Sequence, residues 1–276
     1  MSEADYSRLR ERARFIRTET VRLVEIAKSG HYTSVFSAAE ILATLYYHVM
    51  RVSDDPNWAD RDRLILSKGH VAVGVYPILA DLGYFPKSWL DNYARLGSPL
   101  GDHPDMRKVP GIDFSSGSLG HGLSIGTGMA LGLNRKGSPG RVFVLLGDGE
   151  LNEGQNWEAA QSAAHYRLGN LIGIVDRNTM GLDGKTEETM SIEPLADKWR
   201  AFNWHVHECD GHNLQELVAT FDAIQPGGDR PHMVIAHTIK GKGVRYMEES
   251  RLWHLGYLAG ADAAATIEEL MKNEPA

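Results

Sequence analysis

RVFVLLGDGELNEG, residues 141–154, and LGNLIGIVDRNTMGLDG, residues 168–184, decide how this chain reads. Residues 142–146 are an uninterrupted apolar run that stops at Gly147, Asp148 and Gly149. Residues 170–175, NLIGIV, are a second apolar strand, which stops at Asp176, Arg177 and Asn178. Runs of this kind suit central parallel strands buried on both faces. Residues 153–167 between them read as a helix, so the pair forms one strand–helix–strand unit. In an open parallel sheet, ligands sit beyond the carboxyl ends of the strands. There the two strands present Asp148 and Asn178, 30 positions apart. A carboxylate and an amide oxygen, with room for phosphate oxygens, form a hard-oxygen site suited to Mg²⁺, with Ca²⁺ or Mn²⁺ as equivalents. Gly147 and Gly149 let the backbone approach a phosphate closely. The helix starting near Glu153 offers its N-terminus to the same edge, which favours an anion there. A lone Gly-Asp-Gly is as often a simple turn as a site, so its surroundings carry the argument.

Outward from that unit, residues 64–66 form a short strand that runs into Ser67, Lys68, Gly69 and His70 and then a helical stretch. Residues 204–207 and 233–236 add strands, with a helix over 213–224 between them. Over residues 6–28, apolar side chains recur at steps of three and four, predicting an amphipathic helix with Gly30 as its stop. Ser37 and Glu40 have capping-box spacing in front of ILATLYYHVM, residues 41–50, a helix apolar nearly all round and therefore buried. Ser88 and Asp91 repeat that spacing, with Gly97 ending the helix. A Gly-rich helix is expected over 119–134 and a last one over 262–272. Residues 97–118 have no periodicity. A stretch of that length inside a compact domain is functional or disordered, and His103 and the closing glycines favour function. The repeated strand–helix–strand order predicts an α/β fold. The expected architecture is a right-handed, mostly parallel sheet with helices on both faces, in one domain over residues 1–276.

With 276 residues, 42% apolar and 24% charged, the chain can bury one substantial core. The net charge of −7 and the absence of a basic cluster set aside nucleic-acid binding. The single cysteine, Cys209, excludes a disulfide framework within the chain and fits a reducing cytosol, so a cytoplasmic location is expected. The N-terminal MSEADYSRLRERARF lacks an apolar h-region, and the apolar runs are far shorter than a membrane span. Neither secretion nor a membrane is expected.

Gly-Asp-Gly followed about thirty residues on by Asn resembles the motif of thiamine-diphosphate enzymes, and the wording around it resembles transketolase. Four further segments, in order, resemble that family. SGHYTSVFSAAEIL, residues 29–42, carries His31. LILSKGHVAVGVYPILADLGYF, residues 64–85, carries His70. HPDMRKVPGIDFSSGSLGHGLSIGTGMALG, residues 103–132, carries His103, Gly117 and Leu119. HTIKGKGVRYMEESRLWH, residues 237–254, ends in His254.

The resemblance implies a role for each position. Asp148, the Asn178 side chain and the Met180 carbonyl would bind Mg²⁺ on the diphosphate of thiamine diphosphate. Gly149, His70 and His254 would hold the diphosphate. Gly117 and Leu119 would lie along the cofactor. His31, His70, His103 and His254 would ring its reactive carbon, orienting hydroxyls and moving protons, for which the pKa of histidine is suited. Glu153 would either cap its helix or link paired active sites at a dimer interface. The other histidines, including His205 and His207 on one strand, read as surface or core residues. The family's essential glutamate and most of its sugar-phosphate grip come from a second, pyrimidine-binding domain. A chain of one domain's length therefore implies a partner, the C-terminal transketolase subunit with pyrimidine-binding and C-terminal domains. The expected assembly is α2β2, with active sites at the interfaces and sugar phosphates as substrates.

Two departures bear on specificity. Asp102 stands where the family has a glycine before His-Pro, and Tyr32 replaces a small residue. His254 also stands in Trp-His-Leu-Gly rather than Trp-His-Gly. The competing readings are a non-catalytic scaffolding relative, a Mg-nucleotide protein and a deoxyxylulose-phosphate-synthase-like subunit. The nucleotide reading lacks a P-loop.

Overall fold

The computed structural model describes residues 1–225 and 227–272. Five strands, β1 Arg63–Leu66, β2 Val142–Gly147, β3 Leu171–Arg177, β4 His205–Asp210 and β5 His232–His237, form one sheet in the order β1-β2-β3-β5-β4. Every neighbouring pair is parallel. The helices are α1 Glu3–Ala27, α2 Thr33–Phe36, α3 Ala39–Thr44, α4 Ala72–Asp81, α5 His121–Arg135, α6 Gln155–His165, α7 Thr186–Thr189, α8 Leu195–Ala201, α9 Leu214–Asp222 and α10 Ala261–Lys272.

The strand period of two sorts the core into two layers. Leu64, Leu66, Phe143, Leu145, Ile172, Ile174, Val234 and Ala236 face one layer, where they meet α1, α3, α4 and α9. Ile65, Val142, Val144, Leu146, Leu171, Val175, Met233 and Ile235 face the other, against α5, α6 and α8. Neither face of the central strands is wet, which is why their sequences are continuously apolar rather than alternating.

The helix ends differ from expectation in informative ways. α1 starts in a capping box between Ser2 and Asp5 and ends with Lys28 in the left-handed region, two residues before Gly30. Gly30 instead forms an antiparallel bridge with Gly256. Ser37 and Glu40 do not form a capping box, and α3 has no side-chain cap. Ser37 Oγ bonds the carboxylate of Asp176, and Glu40 takes a bidentate ion pair from Arg17 at 2.6 and 2.7 Å. His212 Nδ1 lies 3.0 Å from the same carboxylate. Burial alone removes both groups from solvent-facing capping, because a fully enclosed carboxylate needs a charged partner. Ser88 and Asp91 likewise form no cap. Their segment is a short 3₁₀ helix, Lys87–Asn92, that ends before Gly97. α8 was not expected. Tyr32 is fully buried, with its hydroxyl accepting from Leu258 N–H at 2.9 Å.

Candidate active site

The carboxyl ends of β2 and β3, the turn after β1, helix α2, the segment before α5 and the segment after β5 surround one cavity of about 370 Å³, ample for a small cofactor. Asp148, Gly149, Asn178, Met180, His70, Gly117, Leu119 and His254 all line it, as do Ser34, Lys68, Glu150 and Lys240. Gly120 turns the chain into α5 with φ of 84°. A Cβ there would stand 2.6 Å from Glu153 Cβ, so only glycine fits the turn. Glu153 itself is exposed and packs on that turn outside the cavity lining.

Asp148 is 1% exposed. Its Oδ2 accepts from Thr179 N–H at 2.6 Å and Arg177 Nη1 at 3.1 Å, and its Oδ1 from Gly149 N–H at 2.7 Å. Burial, and then the neighbouring Asp176, push its carboxyl above the usual range, against the pull of Arg177. A carboxylate under that stress gains from a cation. Asn178 turns its Nδ2 to Asp176 and keeps Oδ1 on the same side as Met180 N–H, 3.2 Å away. The Met180 carbonyl accepts from Lys240 Nζ at 3.1 Å and retains a second lone pair. One carboxylate, one amide oxygen and one carbonyl oxygen in a single cavity fit a hard divalent cation whose other ligands are phosphate and water oxygens. Among the described residues no three His, Cys, Asp or Glu side chains gather into a metal site, as this oxygen set does not require.

Four histidines converge beside this set, and two of them, His70 and His254, line the same cavity. The His31 ring centroid lies 4.9 Å from His70, 5.3 Å from His254 and 6.1 Å from His103, and His70 lies 5.4 Å from His254. The Gly30–Gly256 bridge explains how positions 223 residues apart, His31 and His254, come together, because it zips the two segments side by side. His254 Nδ1 is buried without a hydrogen-bond partner. An orphaned buried nitrogen of this kind marks a place for a ligand. Burial, and then Lys68, hold His70 well below the ordinary imidazole range. Burial, and then Lys240, hold His254 at about 4. Both are therefore neutral at pH 7. The native state binds fewer protons than the unfolded chain as pH falls from about 6.5, so acidification favours unfolding. In the cofactor-free chain, NMR titration should leave the His254 ring signals flat from pH 8 to 6. A midpoint inside that interval would refute the burial account.

Several residues of the site were not foreseen. Lys68 and Lys240 are each 2% exposed, unusual for lysine. Lys68 pairs with Asp176, which also bonds Ser37 and Thr238. Lys240 bonds only the carbonyls of Met180 and Gly181 in this cavity, and burial and Lys68 lower its pKa to about 8. Two ammonium groups at a cavity wall favour an anionic ligand such as a diphosphate. Glu150 accepts from Ser67 and from the N–H groups of Gly120 and Gly147, tying α5, β1 and β2 together under the cavity. The only sequence signals for these lysines were their places beside His70 and in Lys-Gly-Lys-Gly.

His205 and His207 lie outside the cavity lining: Arg230 bonds His205, and His207 Nε2 lies 3.1 Å from His232 Nδ1. No helix among the described residues is long and apolar enough to cross a membrane.

A family model described as "Transketolase, thiamine diphosphate binding domain" matches residues 9–275. The chain is 42% identical over 269 residues to one subunit of the apulose-4-phosphate transketolase of Actinobacillus succinogenes, covering 96% of each chain. It is 42% identical over 265 residues to one subunit of the 6-deoxy-6-sulfo-D-fructose transketolase of a Clostridium species, again covering 96% of each. Its backbone superposes on transketolase from Leishmania mexicana with a TM-score of 0.88 at 28% identity, covering 97% of this chain and 42% of that one. The chain thus spans under half the length of that solved relative.

Proposed function

The chain belongs to the transketolase family, and from that premise we propose that it is the thiamine-diphosphate-binding subunit of a split transketolase. Together with a second chain it transfers a two-carbon ketol unit from a ketose phosphate to an aldose phosphate. The observation that carries this reading is the cavity shared by Asp148, Asn178, Met180, His70 and His254, with His31 packed against both of those histidines and His103 against His31.

Thiamine diphosphate, when bound, supplies the carbon nucleophile that adds to a ketose carbonyl and carries the ketol unit. The residues of this chain do the rest. Asp148, Asn178 and Met180 would hold Mg²⁺ for the diphosphate. Lys240 and the backbone at Gly149 would meet the same anion, and the buried, neutral His70 and His254 would donate to it. Gly117 and Leu119 support the cofactor's length. His31 and His103, at the rim, orient donor hydroxyls and move protons at the sugar oxygens.

The partner chain brings the pyrimidine-binding half, in an α2β2 assembly with Glu153 near the interface between chains. Relatives of matching length are named as subunits, which supports a partner. Those names are transketolases, and none favours the deoxyxylulose-phosphate-synthase-like alternative. The intact metal motif and histidine ring speak against a scaffold without chemistry.

The test is an assay of ketol transfer with added thiamine diphosphate and Mg²⁺, on the tagged chain purified alone and on the assembly captured from its native host. The assembly should turn over and the single chain should not. Full activity of the single chain would overturn the split-enzyme reading.

A further inference from the structure

Asp102 stands beside the histidine ring in the stretch before α5. Its Oδ1 accepts from Tyr93 Oη at 3.1 Å and lies 3.4 Å from His31 Nδ1. Its Oδ2 lies 3.4 Å from His103 Nδ1. Tyr93 is fully buried, so the carboxylate is anchored to the core on one side and to two site histidines on the other. A carboxylate has about four acceptor positions. The three partners leave one, and the side chain is 35% exposed, so a ligand can reach it. Burial works to raise its pKa, but His31, His103 and Tyr93 bring it below the usual carboxylate range, and it is charged at neutral pH. Neither cavity lysine neutralises it. Lys68 is bound to Asp176, and Lys240 to two carbonyls.

On the split-transketolase reading, we infer that Asp102 is a specificity-determining residue: it accepts a hydroxyl near the carbonyl end of a polyhydroxylated ketose phosphate and disfavours donors with a carboxylate there, the 2-oxo acids. The argument is one of charge. A sugar hydroxyl gives the carboxylate the hydrogen bond it still lacks. The carboxylate of a 2-oxo acid offers no donor and would stand as a like charge in a partly desolvated pocket. A site built to bond a hydroxyl discriminates strongly against a ligand without it.

The test uses the assembled complex with thiamine diphosphate and Mg²⁺. It compares kcat/KM for fructose 6-phosphate or xylulose 5-phosphate, whichever is turned over faster, with kcat/KM for hydroxypyruvate, all with one aldose phosphate acceptor. Asp102→Asn keeps the shape and removes the charge, and Asp102→Gly opens the position in case the first variant misfolds. The preference for the ketose over hydroxypyruvate should fall about tenfold or more, through a higher ketose KM, as for loss of one charge-assisted hydrogen bond. An unchanged ratio in both variants overturns the inference. A parallel fall in kcat for both donors overturns it too, and makes Asp102 a residue that only positions His31 and His103. If the wild-type complex transfers from neither donor, the split-transketolase reading fails, and this inference with it.

Discussion

Asp148→Ala should lower Mg²⁺-dependent affinity for thiamine diphosphate at least ~100-fold and bring ketol transfer to background, since loss of even an outer-shell partner of a metal costs about 10–100-fold. The variant removes the only carboxylate of the oxygen set, leaving an amide and a carbonyl that are too weakly charged to hold a divalent ion. It also frees Arg177, which still has Glu187 and Glu193 at 3.0 and 2.9 Å. The fold should therefore survive, and circular dichroism would confirm it. Titration calorimetry of the cofactor with and without Mg²⁺ reads the effect directly. Near-normal Mg²⁺-dependent binding by a folded Asp148→Ala chain would mean that the cation, if any, sits elsewhere.

Glu40→Ala should be strongly destabilising while leaving the cavity lining intact. Glu40 is 1% exposed and joins three elements, accepting from Arg17 of α1 and lying against His212 in the loop before α9, whose Nε2 accepts from Ile239 N–H at 2.8 Å. Removing one member of a buried pair strands the other charge and costs about 3–5 kcal/mol. In a chain of this size that corresponds to a melting-temperature drop of roughly 10 °C. The same network sets a pH dependence. Burial would raise the carboxyl pKa, but Arg17 and His212 reverse this and hold it at about 2. Since the folded value is depressed from 4.5, the stabilisation is present above that pH and fades as pH falls toward 2. Thermal melts at pH 7 and pH 3 should show a smaller gap between wild type and Glu40→Ala at the lower pH. An equal gap would mean that the pair does not govern acid sensitivity.

Much of the fold was legible because the central strands are dry on both faces. Residues 142–146 and 170–175 could hardly be anything else, and the ends of those runs place Asp148 and Asn178 by topology alone. What stayed hidden depends on contacts distant in sequence. Glu40 reads as a cap because its partner Arg17 lies 23 residues away. α8, with sequence LADKWRA, has little intrinsic pattern. It forms around Trp199, whose ring sits 4.9 Å from Trp157 and 5.1 Å from Trp204. Lys240 has no local sequence signal beyond its place in Lys-Gly-Lys-Gly, and only its burial, at 2% exposure, singles it out. The histidine ring was read through the family resemblance. Its physical cause, the Gly30–Gly256 bridge, has no local signature. Asp102 stood out as a departure from the family pattern, and only the structure supplies its three partners.

The central claim is best tested by a native mass spectrum of the tagged chain captured from its host and supplied with thiamine diphosphate and Mg²⁺. The expected result is an α2β2 assembly of this chain and its partner, with one cofactor and one Mg²⁺ per copy of this chain, both lost when Asp148 is replaced. A chain that stays alone and empty under those conditions would contradict it.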